Sequence, residues 1–219
     1  MSLGQSEKKG NAYLQNKRMA MVQNQLQARG IRDKHVLKAM GELPRHVFVH
    51  EHECERAYDD SPLPIGHGQT ISQPFIVAYM TELLAIKPTN SILEIGTGCG
   101  YQTAVLCALG KQVTSVELVP ELAERARETL EKLNIENVDI ISDDGKNGWL
   151  DNAPYDRIMV TAAPKNIPKA LKDQLAIDGR MVIPAGSTLF TQHLWLIEKD
   201  MNNKIHKNKS LGVRFVPLV

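Results

Sequence analysis

From residue 74 to residue 184 the chain alternates between strand-like and helix-like segments, and no other feature limits its fold so tightly. Apolar residues at helical spacing (Ile76, Val77, Met80, Leu83, Leu84) predict a helix over Pro74–Leu84 that stops before Pro88. Ser91–Ile95 then reads as a short apolar strand, 101–109 as a helix, 113–118 as a strand, and 120–133 as a helix opened by Pro120. Val138–Ser142, 156–162 and 180–184 repeat the strand pattern, with a helix over 168–175 between the last two. Such alternation is the signature of an α/β fold: a doubly wound, mostly parallel sheet. Two final apolar runs, 192–198 and 213–219, have no helix between them and are expected as a C-terminal antiparallel strand pair.

Ahead of this core, Leu14, Met21, Val22 and Leu26 predict an amphipathic helix over 13–29, stopped by Gly30. Asp33 is placed to cap a second, short helix through Val36, Leu37 and Met40. Residues 59–70, with Pro62, Pro64, Gly66 and Gly68, are too rich in proline and glycine for a regular element and read as a shaped loop. The expected organisation is a flexible segment over 1–12 and a single domain over 13–219. Within it, 13–73 form an N-terminal helical extension and substrate-loop region, and 74–219 a cofactor-binding core.

Composition removes several function classes. The chain carries 26 Lys+Arg against 25 Asp+Glu, whereas a dedicated nucleic-acid binder usually has a basic surplus. No apolar run approaches the ~20 residues of a membrane span, and the N-terminus lacks the apolar centre of a signal peptide. Cys54, Cys99 and Cys107 form no CxxC pair and read as reduced thiols, and the histidines show no metal-ligand spacing. A soluble cytoplasmic protein, monomeric and without metal, nucleic acid or membrane partner, is the expectation.

Open parallel sheets bind ligands beyond the carboxyl ends of their strands, so the informative loops follow the strands. After the first core strand stands Glu94-Ile95-Gly96-Thr97-Gly98-Cys99-Gly100. Glycines at alternate positions let the backbone turn sharply and approach a ligand, and the next helix offers oriented N–H groups. The spacing is G-x-G-x-G rather than the G-x-G-x-x-G of dinucleotide binders, and Glu94 disfavours a pyrophosphate beside the loop. Glu117, about 20 residues on, ends the next strand where a carboxylate can take both ribose hydroxyls, with Leu118 adjoining it. Asp144-Gly145 follows the third strand, where the carboxylate can accept from an exocyclic adenine amine and the glycine leaves room for the ring. Three acids at three successive strand ends point to an adenosine without phosphate, which fits S-adenosylmethionine better than NAD or ATP.

At this point the sequence resembles a known group. Residues 94–100 resemble the first motif of the class I S-adenosylmethionine-dependent methyltransferases, whose fold is Rossmann-like. From roughly residue 19 onward the chain is similar to the bacterial protein-L-isoaspartate O-methyltransferase family. The resemblance rests on LPIGHGQTISQP (63–74), LEIGTGCGYQ (93–102), PYD (154–156), TAAP (161–164) and VRFVPL (213–218). It implies methyl esterification of the α-carboxylate of L-isoaspartyl residues in damaged proteins and peptides. The ester then closes to a succinimide that reopens partly to aspartate, and S-adenosylhomocysteine is the other product. By matching motif, Ser72 is the active-site serine of G-Q-T-I-S. The expected cofactor-binding set is Glu94, Gly96, Thr97, Gly98, Gly100, Glu117, Leu118, Asp144, Gly145 and Thr161; the substrate-binding set is Ile71, Ser72, Gln73, Ala162, Ala163 and Val213. Departures are small: Cys99 stands where the family usually has serine, Asp143 where glycine is usual, and Asp178-Gly179 where two glycines are common.

An aspartate-like carboxyl has a pKa near ~4 and is ionised at neutral pH, so methylation needs positioning rather than a general base. Ser72 can hold such a carboxylate by donating its proton, but two residues before Pro74 it is equally suited to cap a helix. Residues 161–164 are small and would leave room for a peptide backbone, and residues 213–218 could close the opposite wall. Two rivals share the cofactor residues, namely a small-molecule methyltransferase differing at 59–72 and a non-catalytic adaptor. A dehydrogenase fails on the glycine spacing.

Overall fold

The computed structural model describes residues 3–187 and 191–218. The first helix, α1 (Leu3–Met21), passes into a π-helical turn over Val22–Leu26 and a 3-10 turn over Gln27–Arg29. Gly30, at φ +102°, ends this run. Asp33 caps α2 (Lys34–Glu42), its carboxylate accepting from the backbone N–H groups of His35 and Val36 at 2.8 and 3.2 Å. Turns over Arg45–Phe48 and Glu51–Arg56 lead into a hairpin of β1 (Leu63–Gly66) and β2 (Gln69–Ile71).

The core follows in the order the periodicity predicts. It comprises α3 (Pro74–Leu84), β3 (Ser91–Ile95), α4 (Tyr101–Cys107), β4 (Gln112–Glu117), α5 (Pro120–Lys132), β5 (Val138–Ser142), β6 (Tyr155–Val160), α6 (Lys169–Asp173), β7 (Leu175–Ala185), β8 (Gln192–Lys199) and β9 (Ile205–Val213). The strands form one sheet in the order β5-β4-β3-β6-β7-β8-β9, parallel from β5 to β7 and antiparallel at β8 and β9. The order reverses between β3 and β6, the switch point at which such sheets open a crevice.

Central strands are apolar because both faces are covered. Ile92 of β3 packs with Met80, Leu84, Leu106 and Met159 on the α3 side, and Leu93 with Val116, Ile158 and Leu171 on the other. Each is fully buried, worth about 1.5–3 kcal/mol per side chain relative to exposure. The N-terminal helices are sealed to the core by Met21, Leu26, Met40 and Phe48, packed with Tyr101, Val105 and Leu130 of α4 and α5. The elements before residue 74 are thereby fixed beside the switch point.

Four local expectations are corrected. Residues 59–70 are not an irregular loop: Leu63 pairs with Ile71 and Pro64 with Thr70, while Gly66, His67 and Gly68 make the turn at positive φ. Leu63, Ile65 and Ile71 point inward, an alternation too short to stand out among the prolines and glycines. The helix expected over 13–29 starts at Leu3, so the segment expected to be loose, 1–12, is helical from that residue on. The helix expected over 168–175 is shorter, and β7 begins at Leu175 and bends through Asp178 (φ +59°) before resuming its register at Arg180.

The partner of β8 is Ile205–Val213 rather than 213–219, whose last residue lies outside the described set. This strand is an edge whose His206, Lys207, Asn208 and Lys209 face solvent, so it lacks the apolar signature. Beyond Val213 the chain turns back to β6. The Ala163 N–H donates to the Val216 carbonyl at 2.8 Å, and the Leu218 N–H to the Ala163 carbonyl at 3.0 Å. Pro217, the bridge partner of Ala163, has no N–H with which to extend the ladder.

Candidate active site

The ends of β3, β4, β5 and β6 open onto one cleft of about 940 Å³. Its walls are completed by residues 69–72 after the hairpin and residues 216–218 near the C-terminus. A wider groove of about 1710 Å³ adjoins it, bordered by Ser72, Gln73, Ile76, Gln192, Val213 and Phe215 among others. Thr70, Ser72 and Val216 line both spaces, so the two meet at Ser72.

The glycine turn forms the floor. Gly96, Gly98 and Gly100 have φ of +94°, +55° and +88°. At Gly96 close approach is also demanded, because a Cβ would lie 2.3 Å from Thr161 Oγ1. That hydroxyl donates to the Ile95 carbonyl at 3.0 Å and the Gly96 carbonyl at 2.6 Å, riveting the end of β6 to the turn. Gly100 lies outside the cleft; it starts α4 and leaves room for Ala126 of α5, whose Cβ would be 3.2 Å from a Cβ there.

Glu94 also departs from its expected place. It is fully buried beneath the turn, with Oε2 accepting from Thr103 Oγ1 and Ser115 Oγ, both at 2.6 Å, and Oε1 without a partner among the described residues. Thr97, on the cleft wall, donates in turn to Ser115 at 2.6 Å. Burial pushes the Glu94 carboxyl up to about 8, above the 4.5 of an exposed glutamate, so at neutral pH it is mostly uncharged. Its carboxyl is tied to α4 and β4 and, through Ser115 and Thr97, to the turn, and it is not among the residues lining the cleft. Because the folded form holds the proton more tightly, the stability it contributes is full below about pH 4.5 and is lost as pH rises towards about 8. Glu94→Gln, which cannot ionise, is expected to flatten the stability profile by about 2 kcal/mol between pH 6 and pH 8. Urea unfolding at several pH values measures this; parallel profiles for the two proteins would refute it.

Glu117 stands where a ribose-binding acid is expected. Its Oε2 accepts from the Gly98 N–H at 2.8 Å and its Oε1 from the Val119 N–H at 2.9 Å. A carboxylate has about four acceptor positions, so each oxygen retains capacity for a ligand hydroxyl. Leu118, at the rim, is 47% exposed, offering an apolar surface to a flat ring. Asp144 Oδ1 accepts from the Lys146 N–H at 3.0 Å, and Lys146 Nζ lies 3.9 Å from Oδ2. Gly145 borders the cleft for a reason other than the one read from sequence: a Cβ would strike Ile95 Cγ2 at 2.7 Å on the floor. Glycine is required there by packing against the sheet.

Ser72 lines both the cleft and the groove and does not cap α3. The residue capping α3 is Gln73, without a side-chain cap, and the Ser72 hydroxyl makes no hydrogen bond to a described residue. Ile71 and Ala162 share the cofactor cleft with it, and Gln73 and Val213 the groove. Ala163 lines neither; its backbone is occupied by the C-terminal segment. Sequence reasoning missed Tyr101, Gln102 and Val119, which also line the cleft. Val216, Pro217 and Leu218 close the wall as expected of 213–218, although as an irregular segment rather than a strand.

No described residue lining the cofactor cleft is Lys, Arg or His. Two acids, backbone N–H groups and an apolar slot of Ile95, Val116 and Leu118 fit a nucleoside without phosphate. Together with the reversal at β3 and β6, this arrangement defines a class I S-adenosylmethionine-dependent methyltransferase fold. The sequence profile of protein-L-isoaspartate(D-aspartate) O-methyltransferases matches residues 16–219, and the chain belongs to that family. It is 51% identical over 198 residues to the protein-L-isoaspartate O-methyltransferase of Gloeobacter violaceus, covering 90% of this chain and 96% of that one. Protein-L-isoaspartate O-methyltransferase 1 of Syntrophobacter fumaroxidans is likewise 51% identical, over 94% of this chain and 95% of its own. A solved protein-L-isoaspartate O-methyltransferase superimposes with a TM-score of 0.82 at 30% identity over 93% of this chain, which spans 65% of that protein's length. A Plasmodium falciparum chain assigned to the same family, solved with S-adenosyl-L-homocysteine, gives 0.79 at 28% identity, covering 92% of this chain and 98% of its own.

Proposed function

We propose that the chain catalyses S-adenosylmethionine-dependent methyl esterification of the free α-carboxylate of L-isoaspartyl residues in damaged proteins and peptides, the first step of repair through a succinimide. The observation that carries the reading is the placement of Ser72, an uncommitted hydroxyl where the cofactor cleft meets an open groove. When bound, S-adenosylmethionine supplies an electrophilic sulfonium methyl, and S-adenosylhomocysteine is the product. Glu117 and Asp144 would hold the nucleoside, with Gly96, Thr97, Gly98 and Leu118 around it.

The substrate carboxylate is ionised at neutral pH, in keeping with a cleft whose described lining has no histidine to act as a base. Ser72 donates its proton to one carboxylate oxygen and so fixes the direction of the other. Ile71, Gln73, Ala162 and Val213 border the substrate and exclude water from it. Alignment of this kind is worth up to about 7–11 kcal/mol in intramolecular reactions. Ala163 contributes by holding the C-terminal wall.

Residues 13–219 act as one domain in this reading. In this reading the protein works as a cytoplasmic monomer, and its balanced charge favours no nucleic-acid partner. No described helix is long and apolar enough to cross a membrane. The decisive assay offers labelled S-adenosylmethionine with an isoaspartyl peptide and its aspartyl twin. Base-labile label is expected in the isoaspartyl peptide alone; equal labelling of both, or of neither, would overturn the assignment.

A further inference from the structure

Arg45 lies in the turn ahead of the hairpin and is fully buried, yet no carboxylate among the described residues pairs with it. A guanidinium stripped of water is costly unless other groups replace its hydration. Here the replacements are two backbone carbonyls and a ring. Nε donates to the Ala57 carbonyl and Nη2 to the Ser72 carbonyl, each at 2.7 Å. The guanidinium carbon lies 4.8 Å from the centre of the Tyr101 ring, within cation–π range. Nη1 is buried without a partner among the described residues, so the charge is held here despite incomplete satisfaction.

One end of this bridge is the backbone of Ser72, between the end of β2 and the start of α3, with no side-chain bond of its own. The other contacts are rigid: Ala57 is buried, and Tyr101 begins α4 directly after the glycine turn and lines the cofactor cleft. We propose that Arg45 is a positioning residue for Ser72, locking its backbone to Ala57 and the Tyr101 ring so that the hydroxyl faces the junction of cleft and groove. This inference rests on the reading of Ser72 as the hydroxyl that orients the substrate carboxylate. Only arginine offers the required geometry: its planar fork reaches two carbonyls while its face lies on a ring, which the point charge of lysine cannot do.

The test is a cycle of Arg45→Lys, Ser72→Ala and the double variant, each measured for kcat and KM on an isoaspartyl peptide, for S-adenosylhomocysteine affinity and for Tm. Arg45→Lys is expected to lower kcat about tenfold, one lost charge-assisted bond's worth, with affinity for S-adenosylhomocysteine changed less than about twofold. In the Ser72→Ala background the same change is expected to cost less than about twofold, because there is no hydroxyl left to position. Equal losses in both backgrounds, or affinity falling in step with kcat, would make Arg45 a purely structural residue and overturn the proposal. Full activity of Ser72→Ala alone would instead overturn the reading beneath it. If Arg45→Lys does not fold, Arg45→Gln takes its place; failure of both to fold even with S-adenosylhomocysteine would assign Arg45 to the fold alone.

Discussion

Ser72→Ala is expected to lower kcat on an isoaspartyl peptide by about 10- to 150-fold, the worth of one hydrogen bond to a charged group at ~1.5–3 kcal/mol. Two observations make this prediction specific. The hydroxyl is not used as a helix cap, since Gln73 occupies that position, so its removal exposes no orphaned N–H group. Nor does it bond to a described residue, so the folded state loses little, and Tm is expected to move by no more than a degree or two. The effect should therefore fall on turnover, while S-adenosylhomocysteine affinity stays within about twofold. Steady-state kinetics with titration calorimetry separates the terms. Wild-type turnover in the variant would mean that the carboxylate is held by backbone groups alone, and the serine would lose its role.

Gly96→Ala is expected to cost about 2–6 kcal/mol of stability and to abolish cofactor binding. At φ +94° an L-residue is strained by about 1–3 kcal/mol. Its Cβ would also sit 2.3 Å from Thr161 Oγ1, a contact relieved only by breaking the bonds from that hydroxyl to the Ile95 and Gly96 carbonyls. Overpacking adds about 1–3 kcal/mol. For a chain of this size the sum is about 4–24 °C in Tm, a large part of a total stability of ~5–15 kcal/mol. Gly30→Ala is the control, because Gly30 has a similar φ of +102° but nothing within 4 Å of the new Cβ. Thermal unfolding of both variants, with and without S-adenosylhomocysteine, isolates the clash from the backbone strain. If the two variants melt together, the rivet between β6 and the glycine turn has no energetic weight.

The parallel core was legible because its strands are covered on both faces and its helices on one, so burial is written into the order of apolar residues. Ile92 and Leu93 are neighbours that pack on opposite faces of the sheet, and both had to be apolar. The cleft acids were legible for another reason: Glu117 ends its strand, where a carboxylate is useless to packing but within reach of a ligand. Glu94 looks similar in sequence, and nothing local reveals that Thr103 and Ser115 close over its carboxyl from other elements. β9 was invisible for the converse reason: an edge strand facing water has no need of apolar residues. Arg45 was overlooked because a single arginine beside a proline looks like surface. Only the folded chain brings Ala57, Ser72 and Tyr101 around it.

The bonds from Gly98 and Val119 to Glu117 also bear on when the freedom of the cofactor loop is given up. A floppy acid would have to be ordered by its ligand, and affinity would fall by the entropy of ordering it. Here the carboxylate is immobilised during folding by groups belonging to the same walls the ligand will touch. The glycine turn and the proposed ribose-binding carboxylate are thus tied together by hydrogen bonds. Loosening the turn would weaken a ligand held there by the fraction of molecules in which the turn is open, and a bound nucleoside would in return protect the Gly98 and Val119 amides from exchange with solvent.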